Sequence, residues 1–368
     1  MEKNSNTKML QELMDEGKAR VCRGDVFDYA PPAKPDTFDF ERIEGMLLGA
    51  AIGDSLGVTS EGMPPADRLR MHGEIRSYIP NRYADEARGV PSDDTQLTFW
   101  TIEELLEDGG LRPETLARKI AGGGWIFGIG STVKKFLLNF KNGLPWYESG
   151  PSSAGNGALM RISPILIPYL RTGGSGIWSD AALAAMITHN DYAAISSAVA
   201  FTLMLWELLD MESPPEPQWW IDRYVETAGG LEGLQHYTPR GGAYKNFTGS
   251  LWEFIQEALP EAYAQDLSTL QACNRWYSGA FLLETMPSVL YILMRHAHDP
   301  EEALVRGVND TKDNDTIASI VGAAVGALHG KRGLPAAWIR DLSGRTALDD
   351  DGKVQELIAA AKERFWAI

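Results

Sequence analysis

The chain has 368 residues, more than a typical single domain, yet nothing in it reads as a linker between two folded halves. Its 50 acidic residues against 34 basic ones give a formal net charge of −16, which argues against the basic face that a nucleic acid or an anionic membrane requires. Two cysteines, Cys22 and Cys273, are too few for a disulfide framework and lack zinc-type spacing.

Residues 1–39 differ from the rest and read as an N-terminal arm. Met9, Leu10, Leu13 and Met14 fall on one helical face, with Asn6 and Thr7 as a plausible cap and Gly17 as a stop. A helix of that length is marginal alone in water and needs a docking surface, on its own body or on a partner. The following Ala30-Pro31-Pro32-Ala33-Lys34-Pro35 run predicts an extended, polyproline-like connector. The arm begins with polar residues rather than a basic region followed by an apolar one, and no apolar run reaches membrane-spanning length. A cytoplasmic setting is the expectation.

Residues 40–368 predict one large all-α domain. Phe40 to Gly57 carries a helical stripe, and Gly45, Gly49 and Gly53 at four-residue spacing form a groove for another helix. The segment up to about Gly89 is rich in Pro, Gly, Arg and Asp and reads as loop. A helix starts at Asp93 and stops at Gly109-Gly110, and shorter ones at 112–121 and 132–140 flank the glycine-rich loop from Gly122 to Gly130. Helices are expected from about Ala158, at 180–188, 192–209, 250–258, 278–296, 300–307, 314–329 and 352–366. The stretch 211–250, with four prolines, reads as irregular. No run alternates as a strand would.

Two acidic clusters stand out, Ser92-Asp93-Asp94-Thr95 and Asp313-Asn314-Asp315-Thr316, and each opens an apolar helical pattern. Asp and Ser are common N-caps, so one such cluster alone is ordinary. Two together supply the carboxylates and hydroxyls that a pair of hard cations such as Mg²⁺ or Mn²⁺ prefers. The positive end of each helix dipole keeps those aspartates ionised. Two glycine-rich segments, Gly128-Ile129-Gly130-Ser131 and Gly155-Asn156-Gly157, each lead into a helix and offer backbone N–H groups to a phosphate. Neither is a dinucleotide fingerprint or a P-loop. His189 sits at a helix–helix junction, and Glu61 follows the first core helix in a loop. By composition alone both are ordinary residues.

Taken in order, Gly45-Met46-Leu47-Leu48-Gly49-Ala50-Ala51-Ile52-Gly53-Asp54-Ser55-Leu56-Gly57, Ser92-Asp93-Asp94-Thr95-Gln96, Gly155-Asn156-Gly157-Ala158-Leu159-Met160-Arg161 and Asp313-Asn314-Asp315-Thr316-Ile317-Ala318 resemble the signature segments of the ADP-ribosylglycohydrolases. The resemblance covers about residues 40–330. It implies an all-α fold with a binuclear Mg²⁺ or Mn²⁺ centre at the base of an ADP-ribose cleft. By position, Ser92, Asp93 and Asp94 match ligands of the first metal, Asp313 and Thr316 those of the second, and Asp315 is expected to touch both. Glu61 matches an acidic residue of a flexible loop that some members use in catalysis, beside the metal-bound Asp94 and Asp315. Gly128, Ile129, Gly130 and Ser131, with Gly155, Asn156 and Gly157, match the diphosphate-binding loops, and His189 a ribose-contacting histidine. Lys312 departs from the pattern, standing where a glycine is common just before the second cluster.

The implied activity is removal of ADP-ribose from a modified protein. Arginine is the favoured acceptor because the Ser-Asp-Asp-Thr-Gln and Gly-Ile-Gly-Ser-Thr segments resemble the arginine-directed branch; serine or another conjugate is the alternative. Some members are immunity proteins whose N-terminal extension plugs an ADP-ribosyltransferase toxin, and residues 1–39 resemble that layout. A stoichiometric toxin-binding inhibitor, with hydrolysis secondary, is therefore a second reading.

Overall fold

The structure, a computed structural model, describes residues 5–80 and 86–367. Residues 1–4 of the arm, 81–85 of the loop predicted before Gly89, and residue 368 lie outside the described residues. In chain order the helices are α1 (Ser5–Asp15), α2 (Glu41–Gly57), α3 (Pro65–His72), α4 (Asp93–Asp108), α5 (Pro113–Gly122), α6 (Ser131–Lys141), α7 (Trp146–Ser149), α8 (Gly176–Met186) and α9 (Tyr192–Leu208). They continue with α10 (Pro217–Glu232), α11 (Leu251–Ala264), α12 (Thr269–Arg275), α13 (Leu282–His296), α14 (Pro300–Asp310), α15 (Asn314–His329), α16 (Ala336–Asp341) and α17 (Lys353–Phe365). Among the described residues there is no strand, only isolated β-bridges, so the fold is all-α. No helix there is long and apolar enough to cross a membrane.

The glycine groove of α2 receives α15, and the two helices touch backbone to backbone. A Cβ added at Gly49 would lie 2.1 Å from the Gly322 carbonyl oxygen, and one at Gly53 2.1 Å from that of Ala318. At the other end of the pair, a Cβ on Gly326 would come within 2.0 Å of the Gly45 carbonyl oxygen. The helices run antiparallel, so the end of α2 meets the start of α15, and Asp54 arrives beside Asp315. Helices α8 and α9 are buried along nearly their whole length and form the middle of the core. Their apolar faces all round are what a fully enclosed helix requires.

The arm finds its docking surface on its own body. Helix α1 packs against α8, with Leu10 and Leu13 buried. Burying a side chain of that size contributes about 1.5–3 kcal/mol, enough to hold a helix that is marginal alone. Asn6 Nδ2 donates to Asp180 Oδ1 at 2.7 Å, and Gly17 ends the helix with φ of +67°. The connector stays extended apart from a 3₁₀ turn at Asp25–Phe27 and a turn closed by the Phe38 N–H on the Pro35 carbonyl, and straps onto the body. The Cys22 N–H donates to the Leu231 carbonyl at 2.7 Å, and the buried Lys34 ammonium to Asp210 Oδ2 at 2.7 Å and the Trp206 carbonyl at 2.8 Å.

Two helices, α3 and α10, occupy places where composition predicts loop, and a third, α12, lies where no element is expected. In α10 the prolines precede the helix or stand at its first position, where no N–H is needed, and Trp220, Ile221, Tyr224, Ala228 and Leu231 then bury one face. Helix α3 likewise begins on Pro65, and α12 is started by a reciprocal Ser268–Gln271 capping box. The reverse occurs after Ala158. Pro164 and Pro168 limit that segment to 3₁₀ turns, Asn156–Ala158 and Ser163–Tyr169.

Candidate metal centre

Both acidic clusters do open helices, α4 and α15, and the packing of α2 against α15 brings those openings together. The carboxylates assemble as two overlapping triads, Asp54–Asp94–Asp315 and Glu61–Asp313–Asp315, with ligand-type oxygens in each within 4.8 Å of one another. Asp315 belongs to both. Asp54 is the residue that the motif pattern does not single out. It ends α2 fully buried, where its carboxylate accepts the Ser92 N–H at 3.0 Å, the Thr95 N–H at 3.1 Å and the Thr95 hydroxyl at 2.5 Å. It therefore fixes the first turn of α4 as well as adding charge to the cluster.

Each partner is positioned by its own local structure. Ser92 caps α4, its Oγ accepting the Asp94 N–H at 3.1 Å, and is itself buried. Asp313 Oδ2 accepts from Asn156 Nδ2 at 2.5 Å, tying the second cluster to the Gly155–Gly157 turn. Asn314 is structural: its Nδ2 donates to the Gly57 carbonyl and to Ser60 Oγ, both at 3.1 Å. The Thr316 hydroxyl lies 3.4 Å from Asp94 Oδ1. The loop bearing Glu61 is held from beneath by fully buried Arg68, which donates to Ser60 Oγ at 2.9 Å, the Met63 carbonyl at 2.9 Å and the Thr311 carbonyl at 2.7 Å. The Gly62 N–H adds a bond to the Lys312 carbonyl at 3.0 Å. Lys312 itself points elsewhere, its ammonium 3.3 Å above the Tyr277 ring.

This charge arrangement needs a counter-ion. Burial first, then the neighbouring charges of Asp54 and Glu61, push Asp93 up to about 7. Burial likewise pushes Asp313 up to about 7, against the Asn156 hydrogen bond that lowers it. Asp94 and Asp315 are held well above the usual carboxylate range by burial and by the carboxylates around them. Asp94 Oδ2 is buried without a hydrogen-bond partner. An orphaned, desolvated carboxylate oxygen among further carboxylates is what a hard divalent cation satisfies, so the donor set fits Mg²⁺ or Mn²⁺.

Above the triads opens a cleft of about 240 Å³. Glu61, Asp93, Asp94, Asp313, Asp315 and Thr316 line its foot, and Gly128, Gly130, Ser131, Gly155, Asn156, Gly157 and His189 its walls. Ile129, among the expected residues, turns its half-buried side chain to the outer side of the loop, while Ser92 lies buried beneath the cleft, its Oγ accepting the cap N–H with one of its two lone pairs. The start of α6, Ser131 and Thr132, faces the cleft with its free N–H groups and dipole. Arg240 is the one cation lining the cleft among the described residues, held by a two-bond ion pair to buried Glu284 at 3.2 and 2.8 Å.

His189 lies between α8 and α9, as the junction implies. Burial, then the charge of Arg161, lowers it to about 3, so the ring is neutral at ordinary pH. Arg161 Nη2 donates to Thr188 Oγ1 at 2.9 Å, and His189 Nδ1 lies 2.9 Å from the same oxygen, which turns the Nε2 edge of the ring toward Gly155 and Gly157. Only glycine fits at 157, where a Cβ would lie 2.9 Å from His189 Cε1.

The ADP-ribosylglycohydrolase family model matches residues 34–366. The ADP-ribosylarginine hydrolase Tri1 of Pseudomonas putida is 23% identical, over 82% of this chain and 74% of its own. The human ADP-ribosylhydrolase ARH3 is also 23% identical, over 84% of this chain and 91% of its own. A solved structure, an ADP-ribosylglycohydrolase-related protein complex, shares the fold with a TM-score of 0.61 at 22% identity, covering 89% of this chain and 97% of that one. The chain belongs to the ADP-ribosylglycohydrolase family, hydrolases of ADP-ribose conjugates.

Proposed function

We propose that this protein removes ADP-ribose from modified side chains, arginine first, at a binuclear Mg²⁺ or Mn²⁺ centre. The observation that carries the reading is the pair of carboxylate triads sharing Asp315 at the foot of the cleft, with Asp94 Oδ2 left unpartnered. Asp54, Asp94 and Asp315 would hold one cation, and Glu61, Asp313 and Asp315 the other, with Asp93 and Thr316 at the rim. When bound, the pair acidifies a water and orients the ribose hydroxyls.

The rest follows from the chain's own groups. Neutral His189 meets the ligand through Nε2, and the α6 start and the Gly155–Gly157 turn accept the diphosphate. Glu61, on its braced loop, would take the proton of the attacking water through the carboxylate oxygen that does not hold the cation. The water oxygen bonds to C1″, the bond from C1″ to the acceptor breaks, and the acceptor leaves carrying a proton. Arginine is favoured by the resemblance of the first cluster and the phosphate loop and by the name of the Pseudomonas relative; the equal identity to ARH3 makes serine the comparison to run. A toxin partner for residues 1–39 would have to engage a surface other than the Leu10–Leu13 stripe, which the body already covers.

Purified protein with Mg²⁺ should release ADP-ribose from an arginine conjugate faster than from a serine conjugate, and Asp315→Ala should abolish release while the helical signal persists. Release by Asp315→Ala at the parent rate would remove the shared-ligand assignment. Release from serine alone would move the acceptor and leave the site standing.

A further inference from the structure

Just outside the cleft, the segment 122–130 presents a large apolar side chain on a pinned backbone. Trp125 is 70% exposed. Exposed tryptophan on a fixed frame is the residue type that most often anchors a partner. The frame here is α4 itself. Gln96, buried two residues beyond Asp94, donates from Nε2 to the Trp125 carbonyl at 3.0 Å and the Thr346 carbonyl at 2.8 Å. Its Oε1 accepts the Phe127 N–H at 3.0 Å. Gly123 lies flat on the Trp100 ring, so close that a Cβ would come within 2.4 Å. The loop is thus fixed to the helix that carries the metal-ligand aspartates, with its tryptophan turned outward.

Trp125, Ile126, Ile129, Leu137 and Lys134 enclose a shallow, mostly apolar hollow of about 520 Å³. The hollow and the cleft meet at Gly128, which lines both. A Cβ on Gly128 would lie 3.6 Å from Asp93 Oδ1, so the hollow adjoins the carboxylate end of the cleft. That position identifies the occupant. On the hydrolase reading the terminal ribose sits at the carboxylates, so its C1″ and the acceptor side chain would lie at this end of the cleft. The polypeptide that bears it must then rest on whatever rims that end.

We propose that the Trp125 ledge is the docking surface for the modified protein, engaging an apolar patch beside its ADP-ribosylated side chain. The inference rests on the hydrolase reading of the cleft. It assigns the ledge to the polypeptide part of the substrate, leaving the nucleotide to the cleft walls.

Steady-state kinetics of the parent and of Trp125→Ala and Trp125→Glu test it, using free ADP-ribosyl-arginine and an arginine-modified protein that the parent hydrolyses. The expected result is a KM for the protein substrate raised tenfold or more, most for Trp125→Glu, with KM and kcat for the free conjugate within twofold of the parent. Equal rises on both substrates would place Trp125 on the nucleotide and overturn the proposal. Unchanged KM on both would overturn it as well. Loss of a dimer in the variants, seen by sedimentation, would give the ledge to a second copy of the chain and do the same. A parent inactive on both conjugates would instead remove the hydrolase reading, and the ledge assignment with it.

Discussion

Substituting Gly49 by alanine should uncouple the metal site from a distance. The added Cβ would sit 2.1 Å from the Gly322 carbonyl oxygen, and the facing backbone has no side chain to move aside. Ordinary van der Waals contact requires the helices to part there by roughly 1.3 Å, and overpacking of this kind costs about 1–3 kcal/mol. Alanine recovers up to ~1 kcal/mol of helix propensity. Because the same helix pair is also locked at Gly45–Gly326 and Gly53–Ala318, the strain cannot spread to one end, and a net loss of about 2 kcal/mol is expected. Asp54 lies five residues further along α2, so the same parting moves it from Asp94 and Asp315 and weakens cation binding. Urea denaturation with and without Mg²⁺ measures both effects. Gly122→Ala is the control, since nothing lies within 4 Å of its Cβ position. If Gly49→Ala matched that control in stability and kept the full Mg²⁺-dependent gain, backbone-level packing would not be what places Asp54.

Further outcomes follow from the same geometry. Asp54→Asn should leave the metal-free protein folded but cut the Mg²⁺-induced rise in melting temperature to less than half; an unchanged rise would confine Asp54 to capping α4. Protons compete with cations at Asp93 and Asp313, both pushed up to about 7, so these groups are ionised above that pH and protonated below it. Calorimetry should show Mg²⁺ affinity falling by at least tenfold from pH 8 to pH 6, and a flat profile would contradict the protonation order. Gly157→Ala forces the buried His189 ring to shift, so it should weaken ADP-ribose binding about tenfold at some cost in stability, with the fold retained by circular dichroism; equal affinity would take His189 out of the ligand contacts.

Much of this molecule was legible from residue order because its main signals are local. Helical periodicity, caps and stops depend on neighbours a few positions away, so α2, α4, α9 and α15 are readable, as are the aspartates at the starts of α4 and α15. Even one tertiary feature was visible, the α2 groove, because glycines repeating every four residues mark a face with no side chains. Prolines misled where their position within an element mattered. The same residue type begins α3 and α10 but breaks the segment after Ala158, and only the chain's path distinguishes the two. Which carboxylates come together was decided by tertiary structure alone. Asp54 sits in the last turn of α2 within a glycine-rich motif, with nothing nearby in sequence to give it a role, until backbone contact with α15 carries it to Asp315 across more than two hundred residues. Ser92 shows a local signal instead, since its hydroxyl accepts the nearest free N–H of its own helix, as its place before an apolar run predicts. The arm follows the same rule: its sequence required a surface to cover Leu10 and Leu13, and only the fold determined that α8 provides it.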